Sequence, residues 1–264
     1  MSMESKKYWA ERTAKAQAKL TERGIKKTEA QLIKYYQNTM DTVIAAFEDT
    51  YYKILLTMDN GKEPTPADLY KLDKYWKMQG EVRAELLKFG NKQVRFLSDA
   101  FMEQYVGVWE AMALPSQPEY TKLDKKTLQQ VINQIWCADG KSWSQRIWGN
   151  TEQLLESLNE GLIHVIASGK PVGDLKKHLM KSFGVSFSKA DALVRTELAH
   201  IQTQAARDRY QNYGIGQVEI LADEDERRCD VCGDLHGKRY SVNDTIPIPA
   251  HPRCRCCILP VVED

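Results

Sequence analysis

The chain has 264 residues, of which 42% are hydrophobic and 28% are charged, a composition typical of globular proteins. The net formal charge of +1 excludes an overall electrostatic field that would indicate a nucleic acid or a membrane as partner. The sequence has neither the roughly 18 consecutive apolar residues of a transmembrane helix nor an apolar N-terminal signal segment. We therefore expect synthesis in the cytoplasm and no membrane partner.

The N-terminal part of the chain shows the 3.6-residue periodicity of amphipathic helices. One apolar stripe covers residues 40–58, a second covers residues 69–89, and a third covers residues 94–112. Gly90-Asn91, between the second and third stripes, is typical of a helix end. Three long helices with short connections predict a helical hairpin or bundle.

The segment Leu114-Pro115-Ser116-Gln117-Pro118 is the strongest break in the sequence. It predicts a boundary between an N-terminal helical region, residues 1–114, and a second domain, residues 119–264. Further helices are expected around residues 128–135 and 154–166, followed by a short helix at 175–183. A longer helix is expected from Ser188 to residue 213, because Ser188 and Asp191 form an S-x-x-D capping box.

After Gly214 the pattern changes to three short candidate strands near residues 218–222, 238–242 and 257–261, separated by turns rich in Gly and Pro. A segment with so little apolar surface needs a cross-link to hold its fold. The fold class predicted is therefore mainly α. It comprises a long-helix bundle or hairpin, a helical middle region, and a small C-terminal α+β module with short antiparallel strands and a metal-binding knuckle at residues 218–264.

The cysteines favour a metal ion as the cross-link. Five of the six cysteines lie between residues 229 and 257, and in a reducing compartment such a cluster indicates metal ligation rather than disulfides. Cys229-x2-Cys232 and a second group of His and Cys would complete a tetrahedral site suited to Zn²⁺, without which the module would be largely unfolded. The candidate ligands are Cys229, Cys232, His251, Cys254 and Cys256.

The choice among these ligands stays open. Cys229 and Cys232 come first, and the other three compete for two places in the order Cys254, His251, Cys256. His251 has the alternative role of orienting a thiolate. Cys257 is a poorer candidate because it points to the opposite face of the terminal strand. With five donors we expect no open coordination position, so the sequence predicts a structural metal and no enzyme.

Four motifs occur in a fixed order: Arg195-Thr196-Glu197, Cys229-x2-Cys232, Leu235-x-Gly237 and His251-Pro252-x-Cys254-Arg255-Cys256. This order resembles the C-terminal domain of the Mu F-like, SPP1 gp7-like phage head morphogenesis family, over roughly residues 143–262. The resemblance implies a minor head protein inside the capsid near the portal vertex of the virion, acting in head assembly, DNA packaging or DNA ejection. The partners implied are the portal protein, the major capsid protein, or both, and possibly packaged DNA.

Arg195 and Glu197 invite a catalytic interpretation, but an isolated charged pair within a helix is more often structural. We expect an ion pair, or hydrogen bonds to the knuckle backbone, that fix how this helix meets the metal module. The alternative function is a zinc-ribbon-like DNA-binding protein, in which basic residues around the cysteines contact phosphates. Those residues are Arg227, Arg228, Lys238, Arg239, Arg253 and Arg255.

Overall fold

The computed structural model describes residues 3–56, 70, 72–113, 123–222, 225–226 and 228–261, without the side chains of residues 3–7, 9 and 10. Within these residues it has six helices and a three-stranded sheet, so the mainly α prediction is confirmed. In chain order the elements are α1 (Met3–Leu55), α2 (Asp73–Ala111), α3 (Lys125–Ile132), α4 (Trp143–Ala167), α5 (Val172–Asn212), β1 (Gln217–Leu221), α6 (Asp230–Leu235), β2 (Arg239–Ser241) and β3 (Cys257–Val261).

Helix α1 starts far before the apolar stripe that predicted it. Its buried residues include Leu32, Tyr36, Val43, Phe47 and Ile54, which recur at steps of four and seven and so lie on one face. The helix ends at Leu55. Residues 57–58, the end of the predicted stripe, lie outside the described residues.

Helix α2 runs without interruption through Gly90 and Asn91, so the predicted helix end there is wrong. Gly90 lies against the indole of Trp148 in α4, and a Cβ on Gly90 would be 2.4 Å from Cζ3 of that ring. The glycine therefore permits a close approach of two helices. Its buried neighbours Phe89 and Leu97 are two helical turns apart, which keeps the apolar face in phase across the glycine.

Helix α5 is also continuous, where the sequence predicted a short helix and then a second one capped by Ser188. That prediction is wrong because the buried stripe continues through the expected break, from Leu175, Leu179 and Phe183 to Ala190 and Val194. Tertiary burial of this face outweighs the local capping signal.

Two compact units are built from segments that are separated in the sequence. The first unit comprises residues 1–29, 97–142 and 192–264, and the second comprises residues 30–96 and 143–191. Residues 114–122 lie outside the described part of the chain. The division into domains 1–114 and 119–264 therefore stays a prediction.

The C-terminal sheet has the strand order β2-β1-β3, and both pairings are antiparallel. Val218 and Ile220 of β1 and Ile258 of β3 are fully buried. Gln17 of α1, also fully buried, donates a hydrogen bond from Nε2 to the Ile258 carbonyl at 2.9 Å, and Gln202 of α5 donates to Gln17 Oε1 at 3.1 Å. A buried amide network thus ties β3 to two helices of the first unit. Among the helices of the described residues, none has an apolar stretch long enough to cross a membrane.

Candidate metal centre

The first cysteine turn, residues 229–232, is the start of helix α6. Cys229 is the N-cap of this helix, in extended conformation, and its Sγ accepts a hydrogen bond from the Cys232 amide at 3.4 Å. A helix N-terminus presents unpaired N–H groups and a positive dipole end, both of which favour a thiolate. The turn therefore holds both cysteine sulfurs on the same side of the chain.

The second turn, residues 251–254, lies just before strand β3. The Cys254 amide donates to the His251 carbonyl at 3.2 Å, and Arg253 between them has a φ of 63°, in the left-handed region. Nδ1 of His251 is 2.8 Å from the Pro252 carbonyl oxygen, so it carries a proton and donates to that carbonyl. In the neutral imidazole this leaves the Nε2 lone pair facing the sulfurs.

The two turns bring their donor atoms together. Nε2 of His251 lies 3.2 Å from Cys229 Sγ and 3.1 Å from Cys232 Sγ, and Cys232 Sγ lies 3.8 Å from Cys254 Sγ. In a tetrahedral zinc site, Zn–S bonds of about 2.3 Å place neighbouring sulfurs about 3.8 Å apart. The Cys232–Cys254 distance equals this value, and all the donors are close enough together that they could hold one metal ion.

All five predicted donors take part in this cluster. They form two triples, in each of which the donor atoms lie within 4.8 Å of one another: Cys229, Cys232 and His251, and Cys232, Cys254 and Cys256. Cys232 belongs to both triples. Cys257 is buried in β3 and is in neither triple of the described residues.

The thiols differ in acidity because their surroundings differ. Hydrogen bonds, chiefly from the Cys256 thiol, lower the pKa of Cys254 to about 5, whereas burial raises the pKa of Cys232 to about 12. The hydrogen bond from the Cys232 amide lowers the pKa of Cys229, and donation to the Pro252 carbonyl raises the pKa of His251. The pKa of Cys256 is raised, because it donates to Cys254 and is buried. A divalent cation would neutralise the negative charge that this cluster concentrates, so the sulfur and imidazole donors fit a metal ion.

Thr196 connects helix α5 to the second turn. Its Oγ1 accepts a hydrogen bond from the Arg253 amide at 3.0 Å and donates to the Ala192 carbonyl at 2.7 Å. The threonine side chain thus holds the residue whose backbone is left-handed. Sequence reasoning singled out the residues on either side and missed this one, although it is the middle residue of the same motif.

Arg195 and Glu197 make other contacts in the same unit. Nη2 of Arg195 pairs with Glu29 Oε2 of α1 at 2.9 Å, and the buried Glu197 accepts a hydrogen bond from Trp136 Nε1 at 3.0 Å. Both contacts join α5 to distant segments of the chain. The structural role expected of Arg195 and Glu197 stays a prediction.

Two of the arginines considered for phosphate contact are engaged with carboxylates. Arg255 Nη1 lies 2.7 Å from Asp225 Oδ2 in a two-pronged pair, and Arg239 Nε lies 3.0 Å from Glu219 Oε2. Arg227 lies outside the described residues. Engaged guanidinium groups are poor donors for a phosphate, which weakens the zinc-ribbon alternative.

Comparison with protein families finds a similarity in the C-terminal part of the chain. Residues 156–259 match the model of the family described as Phage Mu protein F like protein, and this region contains Thr196 and all five donors. This part of the chain is therefore similar to the Mu F-like phage family, which suggests a phage head-related protein. No curated protein and no solved structure gives a significant match to the chain.

Proposed function

We propose that this protein is a structural minor head protein of a tailed phage, located in the virion at or near the portal vertex. It acts there in head assembly, DNA packaging or DNA ejection, with the portal protein, the major capsid protein, or both as partners. The observation that carries the proposal is the family match over residues 156–259, since it covers the compact metal-binding module and the helix that holds it.

The proposed metal is a structural Zn²⁺ held by Cys229, Cys232, His251 and Cys254. These four include the Sγ pair at 3.8 Å and both sulfurs that lie against His251 Nε2, and Cys229 and Cys254 have lowered thiol pKa values. Cys256 is assigned as the protonated thiol that donates to Cys254, a role that agrees with its raised pKa. When bound, the ion would cross-link two turns that are far apart in the sequence.

The proposed role is structural and not enzymatic. Four protein ligands fill a tetrahedral site, and a catalytic zinc needs a position open to water or substrate. Arg195 and Glu197 are assigned to the support of the module, because their partners Glu29 and Trp136 belong to other segments of the same unit.

Particle assembly tests the proposed function. The chain is produced together with the portal and major capsid proteins of its own phage, and the particles are purified on a density gradient. We expect the chain to sediment with particles that contain portal and to be lost from particles assembled without it. Incorporation that does not depend on portal, or absence from all particles, would overturn the portal assignment.

A further inference from the structure

A groove lies between helices α4 and α5 in the second unit. Its volume is about 280 Å³, and its lining includes Asn150, Gln153, Ser157, Lys181, Ser186 and Lys189. None of its lining residues among the described part of the chain is an aspartate or a glutamate. The exposed glutamates of α4, which are Glu152, Glu156 and Glu160, do not line the groove. The groove thus differs in charge from the surface beside it.

The lysines of α5 divide into two pairs. Lys176 lies 4.0 Å from the Glu48 carboxylate and Lys177 lies 3.3 Å from the Asp174 carboxylate, and neither lines the groove. Lys181 and Lys189 line the groove and have no carboxylate partner in the described structure. Nζ of Lys189 donates instead to the neutral Gln153 Oε1 at 2.7 Å. Within the described residues, neither groove lysine is thus paired with a carboxylate.

Neutral donors complete the lining. Because Gln153 accepts the lysine through Oε1, its Nε2 amide is available to donate to a ligand. Ser182 donates to the His178 carbonyl, so Ser157 donates to Ser182 Oγ at 2.8 Å, and both hydroxyl hydrogens are engaged within the groove wall. The donors left for a ligand are the lysine ammonium groups and the Gln153 amide, and such donors without a competing acid recognise phosphoryl oxygens.

The spacing of the lysines fits two phosphoryl groups of one elongated anion, or a single phosphoryl group at either end of the groove. Lys181 and Lys189 are eight residues apart on one helix, which places their Cα atoms about 12 Å apart along the axis. Val185 lies between them on the same face of α5 and also lines the groove. We propose that this groove binds phosphoryl groups, with Lys181 and Lys189 as the charged contacts at its two ends. The proposal does not depend on the head function or on the metal.

Binding measurements on the full chain test the proposal with two probes, a short fluorescent DNA duplex and inorganic phosphate. The groove variant is Lys181→Gln/Lys189→Gln. The matched control is Lys176→Gln/Lys177→Gln, which removes the same charge from the same helix outside the groove. A third variant, Lys181→Arg/Lys189→Arg, keeps the charge, and thermal melting checks that all variants fold.

If the ligand is a phosphodiester backbone, the duplex binds the wild type, and the groove variant lowers the slope of log affinity against log salt by about 1.8, which is two phosphate contacts. The control and the arginine variant leave the slope within about 0.5 of the wild type. If the ligand is free phosphate, only that probe binds, and the groove variant weakens it about tenfold or more. Binding of neither probe to the wild type, or equal loss in the groove variant and the control, would overturn the proposal.

Discussion

Cys232 is the residue on which the metal site most depends, because it belongs to both triples of donors. We predict that Cys232→Ser abolishes metal binding, whereas Cys256→Ser leaves about one zinc ion per chain. The stability effect follows from the chain that the ion closes. Cys232 and Cys254 are 22 residues apart. The chain-entropy relation for a cross-link over that distance gives about 3 kcal/mol.

The assay for this prediction combines metal content with stability. Elemental analysis of untreated protein gives the number of ions per chain, and urea denaturation gives the free energy of unfolding. Cys137→Ser is the matched control, since Cys137 is in neither triple and, unlike Cys257, is only half-buried. It should retain the ion and stay within about 0.5 kcal/mol of the wild type, the range of an ordinary surface substitution.

Two results would refute this reasoning about the ligands. If Cys232→Ser keeps its zinc, the site does not need the residue shared by both triples. If Cys256→Ser loses its zinc as completely as Cys232→Ser does, then Cys256 is a ligand and the assignment of His251 or Cys254 is wrong.

Three further predictions concern the supports of the fold. Thr196→Val should lower the free energy of unfolding, measured in urea, by about 1 kcal/mol, because it removes the hydroxyl that accepts the Arg253 amide. Thr196→Ser keeps the hydroxyl and should lower the free energy about half as much or less. Equal losses in the two variants would implicate the methyl group instead. Gly90→Ala should destabilise the protein by about 1–2 kcal/mol, since its Cβ would meet the Trp148 ring. Gly80→Ala in the same helix, where a Cβ would have nothing within 4 Å, should stabilise the protein by roughly 0.5–1 kcal/mol. Stability changes of the same sign in the two variants would contradict this packing. Burial lowers the pKa of His200 from 6.5 to about 4, so between these pH values the unfolded chain takes up a proton more readily than the folded protein. The free energy of unfolding should therefore fall by about 3 kcal/mol at most as the pH drops from 6.5 towards 4. His200→Phe should flatten that part of the stability–pH curve.

The cluster of donors could be predicted because its ligands come from local turns. Two cysteines separated by two residues at the start of a helix converge on one side whatever the rest of the chain does. Likewise His251 and Cys254 form a turn closed by their own backbone hydrogen bond. Only the contact between the two turns depends on the tertiary fold. The sequence indicated that contact, because both turns carry donors that suit the same metal ion.

The helix ends could not be predicted in the same way, because a local signal has more than one physical cause. Gly90 fits a helix end, yet it also fits the close approach of an indole, and the sequence does not show Trp148 beside it. Ser188 fits an N-cap, yet α5 passes through it because the buried face is continuous. The helical periodicity of the apolar residues on both sides of Gly90 and Ser188 predicts a continuous helix better than either residue predicts a helix end. The contact of Thr196 with Arg253 spans 57 residues and had no local signal at all.

Removal of the metal should release the module in a defined order. The first turn and α6 reach the sheet through the Gly237 amide, which donates to the Ile220 carbonyl at 2.8 Å. The second turn is held independently, by Thr196 and by strand β3, in which Cys257 pairs with Leu221. We therefore expect that chelation raises hydrogen exchange in α6 first, while the amides paired between β1 and β3 keep their protection. If those strands lose protection together with α6, the ion holds the entire module, and the C-terminal segment folds only when the metal is bound.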